Sequence, residues 1–176
     1  MSGSGRVLVT GGVRSGKSRH AEELLAGWSD VVYVAPGPVL DDADWAARIA
    51  AHRARRPAAW ETVEGSDLAG ALRAAPGPVL VDCLGTWLTA LLDEAELWEA
   101  SSATVTARVE AALDEVLAAL RARPDVVLVT NEVGLGVVPA HRSGRLFRDL
   151  LGLVNQRVAE ACDEVHLVVA GRVLRL

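Results

Sequence analysis

The chain has 176 residues, 51% of them hydrophobic, and a formal net charge of −5. That length predicts one domain, 1–176, with room for a full core but not for two. The negative balance argues against nucleic acid, whose phosphate backbone demands a basic face, and no apolar run approaches the ~18 to 20 residues of a membrane span.

The first five residues lack a positive stretch followed by an apolar one, so no signal peptide is expected and the cytoplasm is the expected location. Residues 6–10, a β-branched and aliphatic run, predict a buried strand. It leads into Gly11-Gly12-Val13-Arg14-Ser15-Gly16-Lys17-Ser18, which matches G-x-x-x-x-G-K-[ST], and then into a helical pattern with Ala21, Leu24, Leu25 and Trp28 on one face. Strand, glycine loop and helix is the context in which this pattern cradles the phosphates of a nucleoside triphosphate. Glycines let the backbone approach the anion, N–H groups and the positive helix end face it, Lys17 reaches the terminal phosphates, and Ser18 offers a hydroxyl to Mg²⁺. Lys17 is also the single lysine beside seventeen arginines, a compact ammonium where a planar guanidinium is no substitute.

Residues 31–35 predict a second strand, stopped by Pro36-Gly37-Pro38. Asp41 and Asp42 are candidate caps for a helix running to Pro57. An extended piece over 60–63 and a helix over 66–75 follow, broken by Pro76-Gly77-Pro78. The apolar strand over 79–82 ends in an acid, Asp82. Helical sequence runs over 84–100, Ser101 and Ser102 interrupt it, and a long amphipathic helix sets Val105, Val109, Ala112, Leu113, Val116, Leu117 and Leu120 on one face. Residues 126–130 predict a buried strand whose exit, 131–139, is a glycine-rich loop. A helix over 143–161, a strand over 164–170, a turn at Gly171-Arg172 and a last strand over 173–176 complete the chain. Alternating helices and continuous apolar strands define an α/β fold, a mainly parallel sheet flanked by helices with an antiparallel C-terminal hairpin strand. Ligands of such sheets sit at the carboxyl ends of strands, which gathers the loops after Thr10, Ala35, Asp82 and Thr130 at one rim.

Asp82 on that rim is the expected partner of Ser18 in holding Mg²⁺; an acid capping the next helix is the alternative. Glu132, on the same rim, orients a water, a substrate hydroxyl or the metal, or else makes a loop salt bridge, and both readings stand. Around His52 lie Arg48, Arg53, Arg55 and Arg56. Cations at a helix C-terminus complement its dipole. The other reading is a basic arm that meets a triphosphate, with a neutral imidazole attacking phosphorus and guanidiniums stabilising charge on its oxygens. His20 suits half-exposed packing, and His141 and His166 have no supporting constellation. Trp28, Trp45, Trp60, Trp87 and Trp98 are core or interface by default, with a flat ligand as the second reading for Trp60 and Trp87. Cys83 and Cys162 are too few for a metal site and are expected to pack as small core residues. A positive mean hydropathy, +0.24, hints at apolar surface buried between subunits.

Taken together these pieces resemble the bifunctional adenosylcobinamide kinase and adenosylcobinamide-phosphate guanylyltransferase family of cobalamin biosynthesis. The resemblance runs from Thr10 through Arg19, over His52 with Arg56, Pro57 and Trp60, and over Val81-Asp82-Cys83-Leu84 with Trp87-Leu88. It continues through Asn131-Glu132-Val133-Gly134 with Gly136 and Pro139, and through Phe147-Arg148-Asp149 with Gly152 and Asn155-Gln156. It implies a RecA-like P-loop NTPase fold and two reactions. A triphosphate, ATP or GTP, phosphorylates the aminopropanol hydroxyl of adenosylcobinamide; then a histidine attacks the α-phosphorus of GTP and passes GMP to the substrate phosphate. By position His52 matches the guanylylated histidine. The phosphate loop, Arg53, Ala54, Arg55, Arg56, Glu64 and Asp82 match nucleotide contacts. The partners implied are GTP or ATP, a corrinoid and further copies of the chain, a homo-oligomer with a trimer expected. One departure stands out: the family usually carries a hydroxyl-bearing residue after the second strand, where this chain has Pro36-Gly37-Pro38.

Overall fold

The computed structural model describes residues 5–37, 50 and 56–176. In chain order the described elements are β1 (Arg6–Gly11), α1 (Lys17–Leu24), β2 (Val32–Ala35), β3 (Glu61–Glu64), α2 (Leu68–Ala74), β4 (Val79–Asp82), α3 (Leu84–Glu94), α4 (Ser102–Arg121), β5 (Val126–Val129), α5 (Arg142–Ala159), β6 (Glu164–Val169) and β7 (Arg172–Arg175). The strands form a seven-stranded sheet in the order β3-β2-β4-β5-β1-β6-β7. Every neighbouring pair is parallel except β6 with β7. The expected α/β architecture, parallel with one antiparallel C-terminal edge, is therefore the observed one.

Strand side chains alternate between two buried layers, because successive residues point to opposite faces. Leu8, Val32, Val34, Val79, Val81, Val126 and Leu128 pack with α2, α3, α4 and α5. Val7, Val9, Tyr33, Leu80, Val127 and Val129 pack against α1 through Ala21 and Leu25. Burial on both faces explains why these strands read as unbroken apolar runs. The stripe expected on α4 is buried at Val105, Val109, Leu113, Val116, Leu117 and Leu120, and Ser101 caps this helix by accepting from Thr104 N at 3.2 Å.

Three boundaries differ from expectation. The helix expected over 84–100 stops at Glu94, where Glu96 turns to φ 51°. Leu97 N donates to Leu92 O and Glu96 N to Asp93 O, a Schellman closure that folds Leu97 onto Leu92 in the core. Its left-handed residue is a glutamate instead of the usual glycine, so the stop carries no local signature. The helix expected from Ser66 is capped by Asp67, whose carboxylate accepts from Gly70 N at 2.8 Å, while Ser66 Oγ donates to Glu94. The last hairpin turns at Ala170 (φ 49°) and Gly171 (φ 74°), so Val169 pairs with Arg172; two positive φ angles suit the right-handed twist of a two-residue hairpin. The helix expected between Asp41 or Asp42 and Pro57 lies outside the described residues except for position 50, which is helical.

Candidate active site

The phosphate loop joins β1 to α1 and is shaped by what its residues lack. A Cβ on Gly11 would collide with the carbonyl oxygen of Val168 and lie 2.8 Å from Ser15 Oγ, so β1 and β6 close on each other at that point. Arg14 and Gly16 take φ 55° and 98°, a left-handed path that turns the chain into α1. Ser15 N donates to Gly12 O at 3.3 Å. Lys17 is buried, and its Nζ donates to Gly12 O at 3.1 Å, so the ammonium spans the loop from within. Gly16 stands at the N-cap of α1, which has no side-chain cap. The loop and the first turn of α1 thus present donors and positive charge where a polyphosphate would lie. From behind, the β6–β7 turn supports the loop, with Gly171 N donating to Ser15 O at 2.8 Å.

Asp82 lies half-buried at the carboxyl end of β4, aligned with Val129 of β5. Strand spacing puts β4 about 10 Å from β1 and β3, with Glu64 at its end, about 19 Å from β1. Asp82 is therefore within one cation and one phosphate of the loop, whereas Glu64 belongs to a more distant part of the rim. The Tyr33 hydroxyl donates to Asp82 Oδ2 at 3.2 Å. Burial, then the Asp82 charge, raise the Tyr33 pKa above its ordinary value, which keeps the phenol protonated as a donor. The Arg56 guanidinium lies 3.5 Å from the centre of the Tyr33 ring, a cation–π contact. Arg56, Tyr33 and Asp82 thus form one continuous contact. His52, Arg53, Ala54 and Arg55 lie outside the described residues, as does Pro38.

The later strand exit is held differently. Thr130 is fully buried, and its hydroxyl donates to Asn155 Oδ1 at 2.6 Å. Asn155 Nδ2 donates to Asn131 O at 3.1 Å, Arg148 to Gly134 O at 3.1 Å, and Arg145 to the carbonyls of Pro139 and Ala140. Glu132 N donates to Gly11 O at 3.2 Å, which ties this loop to the start of the phosphate loop. Glu132 makes no ion pair with the described residues; of the two readings left open by the sequence, the loop salt bridge is not what they form.

Tyr33 is the residue that sequence reasoning missed, whereas Arg148 and Asn155 were named there as motif residues without a role. Tyr33 is the single tyrosine of the chain and has the same strand parity as the site-facing layer, which is the signal available for it. A second surprise is a chain of groups behind α1. His20 Nε2 meets His166 Nδ1 at 2.9 Å, and His166 Nε2 meets Glu164 Oε2 at 2.8 Å. Burial, then His166, lower the His20 pKa below the ordinary imidazole value. Trp60 and Trp87 are buried in the two core layers, so the flat-ligand reading for them is withdrawn. Cys83 and Cys162 are free thiols; Cys83 is buried, whereas Cys162 is only partly so, its thiol pushed up by burial to about 12.

A parallel sheet with a glycine phosphate loop on β1 and a carboxylate on β4, with β5 between them, defines a P-loop nucleotide-using enzyme. The backbone is similar to a solved prototypical ATPase from the type III secretion system of pathogenic bacteria. The TM-score is 0.53 and the identity 10%, over 93% of this chain and 51% of that one, a likeness of fold alone. Residues 7–176 match the family model for cobinamide kinase / cobinamide phosphate guanyltransferase, and the chain belongs to that family. Its two activities make it a bifunctional transferase of adenosylcobalamin biosynthesis. Among its relatives, the bifunctional adenosylcobalamin biosynthesis protein CobU of Salmonella typhimurium is 44% identical over 180 residues, covering 94% of this chain and 96% of the relative. CobP of Pseudomonas aeruginosa, also a bifunctional adenosylcobalamin biosynthesis protein, is 43% identical over 172 residues, covering 94% of each.

Proposed function

We propose that both reactions run at the rim built by the phosphate loop and Asp82, within one domain, and that His52 carries the guanylyl group. In the kinase step ATP or GTP gives its terminal phosphoryl group to the aminopropanol hydroxyl of adenosylcobinamide. In the second step the neutral His52 imidazole attacks the α-phosphorus of GTP, the bond to the bridging oxygen breaks, and pyrophosphate leaves. The phosphate of adenosylcobinamide phosphate then takes GMP from the histidine, giving adenosylcobinamide-GDP.

The observation that carries this reading is the contact from Arg56 through Tyr33 to Asp82. It anchors the end of the arginine-rich segment at the nucleotide rim, and His52 precedes Arg56 by only four positions, within about 14 Å of extended chain. Arg53, Arg55 and Arg56 then serve two needs at once: guanidiniums bind the polyphosphate and disfavour the charged imidazole, which must be neutral to attack. Lys17 and the N–H groups around Gly11, Gly12, Val13, Arg14, Ser15 and Gly16 hold the phosphates. Glu64, farther along the rim, suits the nucleoside end.

Mg²⁺ fits the residues present. Ser18, half-buried in the first turn of α1, and Asp82 at the end of β4 are hard oxygen donors of the kind that hold this ion together with phosphate oxygens and water. When bound, it would supply neutralisation of phosphate charge.

The test is incubation with GTP labelled at the α-phosphate. Acid-labile label should appear on the protein and be missing from His52→Ala; a kinase-active protein that never retains GMP would overturn the guanylyl-histidine. Homo-oligomerisation, with a trimer expected, belongs to the same reading. It is supported by the exposed Val173, Leu174 and Leu176 on edge strand β7 and after it; light scattering reads it directly, and a stable monomer would remove it.

A further inference from the structure

We propose that Glu132 is the catalytic carboxylate of the phosphoryl transfer, taking the proton from the acceptor hydroxyl, and that Asn155 and Arg148 are the positioning residues that hold it at the phosphate loop. The inference rests on the kinase half of the function proposed above and assigns the group that activates its acceptor.

Three observations support it. First, Glu132 leaves β5, the strand between β1 and β4, so it emerges between the phosphate loop and Asp82, and its own N–H bonds Gly11 O at 3.2 Å. Second, the carboxylate is half-buried, free of ion pairs among the described residues, and held by one weak contact, Gly134 N to Oε1 at 3.3 Å. That leaves Oε2 as an acceptor, while Asp82 already takes the Tyr33 hydroxyl. Third, the loop is fixed by side chains of α5: Asn155 bonds both the Thr130 hydroxyl and Asn131 O, and Arg148 bonds Gly134 O. Arg148 and Asn155 lie seven residues apart, two turns, and so share one face of the helix. These bonds fix the backbone on both sides of Glu132, the positioning that general-base geometry demands.

Glu132 accepts the hydroxyl proton as the substrate oxygen bonds the terminal phosphorus. The bond from that phosphorus to the bridging oxygen breaks, and the electron pair leaves with the nucleoside diphosphate. Solvent then takes the proton from Glu132.

Steady-state phosphorylation of adenosylcobinamide tests this. Glu132→Gln should lower kcat by about 10²- to 10⁴-fold and leave the KM for nucleotide within about threefold. Glu132→Asp, one methylene short, should recover part of kcat. Asn155→Ala should lower kcat less, again with nucleotide KM little changed, because the carboxylate is still present. Near-wild-type kcat in Glu132→Gln overturns the proposal, as does a loss of kcat matched by loss of nucleotide binding. The two readings fail separately. Histidine guanylylation uses no hydroxyl acceptor, so Glu132→Gln should still take label from α-labelled GTP. Kinase turnover without protein-bound GMP would overturn His52 and leave Glu132 standing.

Discussion

Two loops meet at the carboxyl rim of the sheet and are held by opposite means. The loop over 12–16 is held mainly by its own backbone and by Lys17: Gly11 lets β1 press on β6, Ser15 N and Lys17 Nζ both close on Gly12 O, and the β6–β7 turn supports Ser15 from behind. The loop over 131–140 is held by long side chains from α5, with Asn155, Arg148 and Arg145 each capturing its carbonyls. The first closes on itself, through its own backbone and the one ammonium that follows it. The second needs only to be placed, so side chains do the placing. A fixed anion cradle and a tethered arm are then separable, and each should break in its own way.

The largest effect is expected at Gly11. Gly11→Ala puts a methyl group against the Val168 carbonyl, and neither strand can yield without disturbing the ladder between β1 and β6. A loss of about 2–4 kcal/mol is expected, about 2–4 °C in Tm per kcal/mol for a chain of this size, together with loss of nucleotide binding. Gly12→Ala is the contrast, because no atom lies within 4 Å of its Cβ position; its Tm should move by less than about 2 °C. Thermal melting with a nucleotide titration reads both. Equal effects of the two substitutions would mean that the close approach of β1 and β6 is not what Gly11 serves.

Breaking the tethered arm should cost less and leave the cradle alone. Arg148→Ala removes one partly exposed hydrogen bond to Gly134 O, about 0.5–1.5 kcal/mol by the usual measure. The expected sign is faster amide exchange over 133–140 with nucleotide affinity unchanged. Unchanged exchange would show that Arg148 does not hold this loop, and a weakened nucleotide would show that the two loops are one cooperative unit.

The same contrast decides what could be read from the sequence. The phosphate loop is contiguous, so its place between β1 and α1, and the strand before it, were legible as they stand. Asp82 was legible for a similar reason, as an acid at the end of an aliphatic run. The tether of Asn155 to Asn131 spans 24 positions, and neither residue has a local pattern that names its partner. Tyr33 hid as an ordinary strand residue, because its hydroxyl matters only once β2 lies beside β4. His20 and His166 are 146 positions apart and meet only because β6 pairs with β1 and α1 covers both. The stop after Glu94 was missed for a local reason, a left-handed glutamate in place of glycine.

The smallest effect is expected at the other end of the strands, where Arg6 and Asp163 join the start of β1 to the residue before β6. Arg6 Nη2 and Nε donate to the two carboxylate oxygens at 2.9 and 3.2 Å, and its backbone N donates at 2.8 Å. The Arg6 side chain, then its backbone N–H, hold the Asp163 carboxyl below the ordinary carboxylate value. A carboxyl with a depressed folded-state pKa stabilises the fold above its unfolded value, about 4, and loses that contribution as pH falls through the folded value. The Asp163 side chain is 50% exposed, so water and salt screen the pair, and Asp163→Asn should cost no more than about 1 kcal/mol at pH 7. Urea unfolding should show the gap between wild type and variant at pH 7 and see it narrow as the pH is lowered toward 3, with nucleotide affinity unaffected throughout. A gap that widens with acid would assign the stabilisation to another group. A change in nucleotide affinity would mean that strain at the lower end of β1 reaches the phosphate loop, and the separation of cradle from scaffold would fail with it.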